Sequence, residues 1–128
     1  MDFPTGLFFT KDHEWASEES NVVTVGITDH AQEALGEIVF LEVPEIGRQL
    51  KTHEAFGVVE SIKAVSDLYS PIGGTVVEVN SKAVEDPSSI NNDPYKAGWL
   101  IKLKPSDPKE ISTLMNTADY KAYVESLK

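Results

Sequence analysis

One lysine in this 128-residue chain stands where turn chemistry does not ask for it. The stretch Phe56-Gly57-Val58-Val59-Glu60-Ser61-Ile62-Lys63-Ala64-Val65-Ser66-Asp67-Leu68-Tyr69-Ser70-Pro71 reads as two β-type runs that meet at Lys63, the second closed by Ser-Pro. A tight hairpin turn favours residues that tolerate positive φ, and Lys63-Ala64 supplies neither Gly nor Asn. A lysine taken at random is a solvated surface residue. Held at the tip of a rigid hairpin against local preference, it presents an amine for use. The chemistry that suits such an amine is covalent attachment of a swinging prosthetic group.

Other chemistries find little support. His13, His30 and His53 lack metal-ligand spacing, and with no cysteine in the chain neither a zinc site nor a thiol nucleophile is expected. No Gly-rich phosphate loop follows a strand and opens a helix. No Ser/His/Asp set stands out, so no catalytic residue is expected. Trp15 and Trp99 read as core anchors rather than binding platforms.

The elements that must position Lys63 are mostly short strands. Leu7–Thr10 and His13–Ala16 read as strands, Ser17–Asn21 as a polar loop, and Val22–Val25 as a β-branched strand running into Gly26. A short helix follows, with Asp29 as N-cap, Gln32 three residues on and Gly36 as its stop. Ile38–Val43 is a strand closed by Pro44. Beyond the hairpin, Thr75–Asn80 is a strand, Pro87 to Pro94 a long loop, and Trp99–Leu103 the last strand. The period then changes. Asp107-Pro108-Lys109-Glu110 opens a helix, with Ile111, Leu114 and Met115 on one face. Tyr120, Tyr123, Val124 and Leu127 repeat that spacing after Thr117. The expected architecture is mainly β, a small sandwich at about residues 7–104, with a short internal helix and a C-terminal helix or helix pair at about 107–127. Its length suits one domain, residues 1–128.

The formal net charge of −10 makes nucleic acid or an anionic membrane a poor partner. It suits quickly reversed encounters with basic surfaces, or simply keeps the chain soluble. No apolar run reaches the length of a membrane span. The start, Met1-Asp2-Phe3-Pro4-Thr5, has neither a secretory signal pattern nor transit-peptide character, so a bacterial-type cytoplasmic protein is expected, acting as a monomer.

The text around the lysine is more specific than its position. Glu60-Ser61-Ile62-Lys63-Ala64-Val65-Ser66-Asp67 resembles the lipoyl-attachment motif of the glycine cleavage system H-protein family. The same family pattern appears in His13-Glu14-Trp15, in Gly26-Ile27-Thr28-Asp29-His30-Ala31-Gln32 and in Leu35-Gly36-Glu37-Ile38-Val39-Phe40. It continues through Ser70-Pro71, Val77-Glu78-Val79-Asn80, Asn91, Asp93-Pro94-Tyr95 and Gly98-Trp99-Leu100. These blocks keep family order and spacing over about residues 7 to 127. The flanks differ from those of a biotin carrier, whose lysine is bracketed by methionines; here Ile62 and Ala64 bracket it.

That resemblance implies a lipoyl/biotinyl-type barrel-sandwich hybrid of two small antiparallel sheets. It implies lipoic acid in amide linkage to Lys63, with Glu60, Ser61 and Ala64 as the attachment motif, installed by a lipoate ligase or lipoyl transferase. It implies a non-catalytic carrier role in glycine catabolism and one-carbon metabolism. In that role the resemblance implies that glycine decarboxylase (P protein) would load the arm with an aminomethyl group, the folate-dependent aminomethyltransferase (T protein) would unload it, and dihydrolipoyl dehydrogenase (L protein) would reoxidise it. It also implies a cleft for the loaded arm, with Glu14 and Asp67 as partners of its amine. The chain departs from the family pattern at Asp12, where serine is frequent, at Ala34, where many members have histidine, and at His53, where a turn glycine is common. The alternative reading is an H-like protein that relays lipoyl groups in lipoate metabolism, since lysine and fold would be shared.

Overall fold

Among residues 1–127, which the computed structural model describes, β-branched runs separated by turn residues form nine strands. The larger sheet is built from β1 (Phe8–Phe9), β2 (Glu14–Glu19), β3 (Val22–Ile27), β9 (Ile101–Pro105), β8 (Gly74–Val79) and β5 (Gln49–Leu50), in that spatial order. The smaller sheet orders β4 (Ile38–Glu42), β6 (Ala55–Ser61) and β7 (Val65–Tyr69). Every pairing is antiparallel. The architecture is therefore mainly β, two antiparallel sheets face to face, as the sequence predicts.

The pleat explains the core. Val23 and Val25 on β3, Val76 on β8 and Leu103 on β9 point inward from the large sheet. Leu41 on β4, Val59 on β6 and Leu68 on β7 meet them from the small one. Each buried aliphatic side chain contributes roughly 1.5–3 kcal/mol of gross transfer free energy. The close approach of β6 to β4 depends on Gly57, where a Cβ would fall 2.1 Å from the Glu42 carbonyl oxygen.

Among the described residues four short helices decorate the sandwich: α1 (Asp29–Leu35), α2 (Ser81–Glu85), α3 (Ser88–Asn92) and α4 (Thr117–Ser126). A 3-10 turn, Glu110–Thr113, precedes α4, so the C-terminal pair is one short turn and one helix. A ten-residue helix is marginal by itself. α4 is held by a second core, where buried Tyr120 and Val124 pack on Phe9 and Trp15. The Tyr120 ring stacks on Phe9 at 4.5 Å and 4°.

Several local expectations are corrected. β2 continues through Ser17-Glu18-Glu19, because β-branched Val22, Val23 and Thr24 supply its ladder. The turn shrinks to Ser20 (φ 52) and Asn21 (φ 62), the mirror-image geometry that matches strand twist. The N-cap of α1 is Thr28 rather than Asp29, whereas α4 starts at Thr117 as expected and is capped by Asn116. In each case the side-chain oxygen one residue earlier accepts an amide of the first turn. The Pro87–Pro94 segment is not all loop, since α3 occupies much of it. No helix among the described residues is long and apolar enough to cross a membrane.

Candidate functional site

β6 and β7 pair from Ala55↔Tyr69 to Glu60↔Val65, which leaves Ser61 to Ala64 as the turn. Its two central residues are Ile62 and Lys63, one step earlier than the Lys63-Ala64 placement expected from the sequence. No turn residue takes positive φ. A hydroxyl solves the problem instead. Ser61 donates its backbone N–H to the Ala64 carbonyl at 2.8 Å. Its Oγ accepts the amide of Ala64 at 3.1 Å and that of Lys63 at 3.3 Å. The side chain thus satisfies the donors that the turn leaves free, in the manner of an ST-turn. Ser61 is buried while Ile62, Lys63 and Ala64 are exposed.

The tip is also tied to the body. Ile62 donates its N–H to the Glu37 carbonyl at 3.1 Å. The Lys63 stem lies along the end of α1, where a Cβ on Gly36 would meet its Cε at 3.5 Å. Gly36 adopts φ 81 to stop the helix, a conformation that glycine takes without strain. Among the described residues the ion pairs are Arg48–Glu54 and Lys102–Glu78, so no carboxylate holds the Lys63 ammonium. An exposed, unpaired amine on an anchored turn fits acylation by a carboxylic acid cofactor. Glu60 lies half-buried on β6 opposite Val65.

Beside this hairpin is a cavity of about 220 Å³. α1 lends Ala31, Ala34 and Leu35, and the hairpin lends Val59, Ser66, Asp67 and Leu68. Asp12, His13 and Glu14 come from the turn into β2, and Ile27 from β3. Glu14 and Asp67, far apart in sequence, therefore line one cleft, together with the departures Asp12 and Ala34. Asp67 is exposed and also borders a larger open groove beneath the β4–β5 connection. Glu14 is only 3% exposed, and burial is the main cause that pushes its carboxyl up to about 7. Asp12 pushes in the same direction, while hydrogen bonds donated by the Thr10 hydroxyl and the Tyr69 backbone oppose it. Thr10 donates its hydroxyl to Glu14 Oε1 at 2.7 Å.

His13 forms another wall at φ 68, its ring 4.4 Å from that of His30 and tilted 41° to it. Burial and the neighbouring His30 lower its basicity, partly opposed by Asp12. Trp15 is a core anchor that donates to the Pro94 carbonyl at 3.0 Å, and half-buried Trp99 lies beneath the Lys102 ammonium at 5.0 Å. Among the described residues no three His, Asp or Glu side chains gather as a metal site.

Sequence reasoning missed the part played by three residues: Thr10, whose bond to Glu14 has no local signature; Asn91, named only within the family pattern, whose amide braces the tip from α3; and Tyr120, known only as one apolar-face residue.

The family model described as Glycine cleavage H-protein matches residues 7–127. The chain belongs to this family. The "Glycine cleavage system H protein" of Anaeromyxobacter sp. (strain K) is 50% identical over 125 residues, 98% of either chain. That of Halothermothrix orenii is 44% identical over the full length of both. The mitochondrial one of Flaveria trinervia is 51% identical over 94% of this chain and 73% of its own. A crystal structure of a glycine cleavage system H protein from Mycobacterium marinum superposes with TM-score 0.89 at 41% identity, covering 95% of this chain and 98% of that one. Membership carries with it the barrel-sandwich fold and a lipoyl-carrier role in glycine cleavage.

Proposed function

We propose that this chain acts as a single carrier domain that bears lipoic acid in amide linkage on Lys63. The observation that carries the reading is the juxtaposition of an exposed, unpaired lysine on an anchored turn with a cleft that buries Glu14. Lys63 would hold the lipoyl group, which would supply a disulfide able to take up an aminomethyl group as it is reduced; P protein would load it, T protein would pass the carbon to folate with release of ammonia, and L protein would reoxidise the dithiol with NAD.

The chain's own residues bind and shelter. The hairpin presents the attachment amine, with Ser61 shaping the turn and Glu60 and Ala64 flanking it for the lipoate ligase or lipoyl transferase. Ile27, Leu35, Val59 and Leu68 exclude water from the cleft. Glu14 and Asp67 supply the negative charge that a terminal ammonium needs. A carboxyl poised near neutrality ionises readily when a cation enters, because the opposite charge offsets its desolvation. The acidic surface steers basic partner faces and raises on-rates more than it tightens complexes. The chain itself performs no catalysis in this reading. A cytoplasmic site of action goes with it, supported by the bacterial relatives.

Intact mass before and after lipoate ligase treatment tests the attachment. Wild type should gain one lipoyl group and Lys63→Arg none; modification of Lys63→Arg, or none of wild type, overturns it. Glycine decarboxylation reconstituted with P protein tests the carrier role. A lipoylated yet inert protein would favour the relay of lipoyl groups in lipoate metabolism.

A further inference from the structure

We infer that the Tyr120 hydroxyl is a positioning group for the cleft, a latch through which helix α4 holds the two walls formed by His13 and by α1. The inference rests on the sheltering role proposed above. Tyr120 is fully buried, and its hydroxyl reaches His13 Nδ1 at 2.9 Å and Thr28 Oγ1 at 2.7 Å. Thr28 caps α1 by accepting the Ala31 amide at 3.2 Å, and its backbone N–H donates to the His13 carbonyl at 3.0 Å. His13 and Ala31 both line the cleft. The strand turn, the internal helix and the C-terminal helix thus converge on one oxygen.

Donor counting fixes the direction of this chain. Thr28 Oγ1 already accepts from Ala31, so its own proton is free for Tyr120. Tyr120 then donates to His13 Nδ1, which must be the bare nitrogen of a neutral ring with its proton on Nε2. The reverse order would leave the Thr28 proton without a partner. Burial and His30 both favour the neutral ring.

The backbone offers a second, independent sign. His13 sits at φ 68 in the left-handed region, which is unfavourable for a residue that bears a side chain. Strain of that kind persists only where surroundings over-determine it. Here the surroundings are the Thr10 carbonyl accepting from His13 N–H at 3.2 Å, the Thr28 amide and the Tyr120 hydroxyl.

Tyr120→Phe removes the hydroxyl and keeps the ring on Phe9; Thr28→Val cuts the other arm of the latch, and Thr28→Ser restores it. In the unmodified protein, ¹⁵N spectra should show a bare Nδ1 on His13 of wild type and Thr28→Ser. In Tyr120→Phe the ring should average between tautomers, and the Ala31 amide should exchange about five- to ten-fold faster, the loss of one hydrogen bond. After lipoylation and loading, that variant should release its load about five-fold faster. Val124→Ala loosens the same helix with the hydroxyl kept, and should lower the melting temperature without moving His13 or the release rate. His13 and Ala31 signals of Tyr120→Phe that match wild type overturn the latch. So does an unchanged release rate in Tyr120→Phe beside a faster one in Glu14→Gln. Unchanged release in both overturns the sheltering cleft itself, and the latch with it.

Discussion

Asn91 holds Gly36 from across the fold: its Nδ2 donates to the Gly36 carbonyl at 2.8 Å. The same amide donates to Gln32 Oε1 at 2.9 Å and accepts from the Ile38 N–H at 2.9 Å. The end of α1 and the start of β4 are thereby fixed, and Glu37 between them receives the Ile62 N–H of the lysine turn. Asn91→Ala leaves the Ile38 amide without its partner in a half-buried place. The expected cost is about 2–3 kcal/mol in urea unfolding. Amide exchange at Ile62 should quicken under conditions that leave the amides of α4 unchanged; equal effects at both would mean general loosening rather than a brace of the tip.

Glu14 should make stability fall with rising pH. Its carboxyl moves from 4.5 to about 7 on folding, mainly through burial. Between those values the folded chain keeps a proton that the unfolded chain has lost, so the slope of unfolding free energy against pH is negative. The favourable state is fully present below about pH 4.5, declines through pH 7 and is flat above it, a loss of about 3 kcal/mol from this group. Glu14→Gln keeps an oxygen for Thr10 and removes the titration. The difference between variant and wild type in urea unfolding should therefore grow from pH 5 to pH 8 in favour of the variant. A difference independent of pH would show that Glu14 is solvated.

The same residue should matter to the load. In the lipoylated, loaded protein, Glu14→Ala combined with Asp67→Ala should shorten retention about ten-fold or more, since each charge-assisted hydrogen bond is worth about 1.5–3 kcal/mol. Release can be followed by mass spectrometry. An unchanged rate would remove both carboxylates from the role of amine partners.

The strands, the two sheets and the terminal helix were legible because β-branched runs, Pro and Gly stops and the 3.6-residue spacing of Tyr120, Tyr123, Val124 and Leu127 are local signals. What escaped was long-range. Ser17-Glu18-Glu19 looks like a loop until β3 pairs with it. Thr28 caps α1 where the neighbouring Asp29 looked equally able. The motif text located Glu14 and Asp67, and the fold brings both to one cleft. Neither the burial of Glu14 nor the bonds of Asn91 and Tyr120, whose hydrogen-bond partners lie tens of residues away, leave any trace in spacing.

His53 occupies a turn position that still demands glycine geometry. The turn closes with Glu54 N–H donating to the Lys51 carbonyl at 3.0 Å, and His53 takes φ 67 while donating to the Ser70 carbonyl at 2.8 Å. His53→Gly keeps both bonds and relieves about 1–2 kcal/mol of left-handed strain, against about 0.5–1 kcal/mol of added chain entropy in the unfolded state. A net gain of about 0.5–1 kcal/mol follows, or roughly 2–4 °C in melting temperature. A lower melting temperature would mean that the imidazole makes a compensating contact.

Ser61 links the turn to its use. Its Oγ satisfies the Lys63 and Ala64 amides in a turn that has no residue at positive φ to close it otherwise. Ser61→Ala leaves those donors to water and frees the tip, at an expected cost of about 1 kcal/mol. The larger effect should fall on modification. A ligase must find Lys63 in one presentation, and a tip that populates it only part of the time weakens recognition by that fraction. The initial rate of lipoylation at limiting ligase should drop about three- to ten-fold, with the plateau still at one lipoyl group per chain. Ala64→Gly, which relaxes the turn while keeping the hydroxyl, should fall between the two. A wild-type rate in Ser61→Ala would show that the ligase reads the extended arms of the hairpin rather than the geometry of its tip.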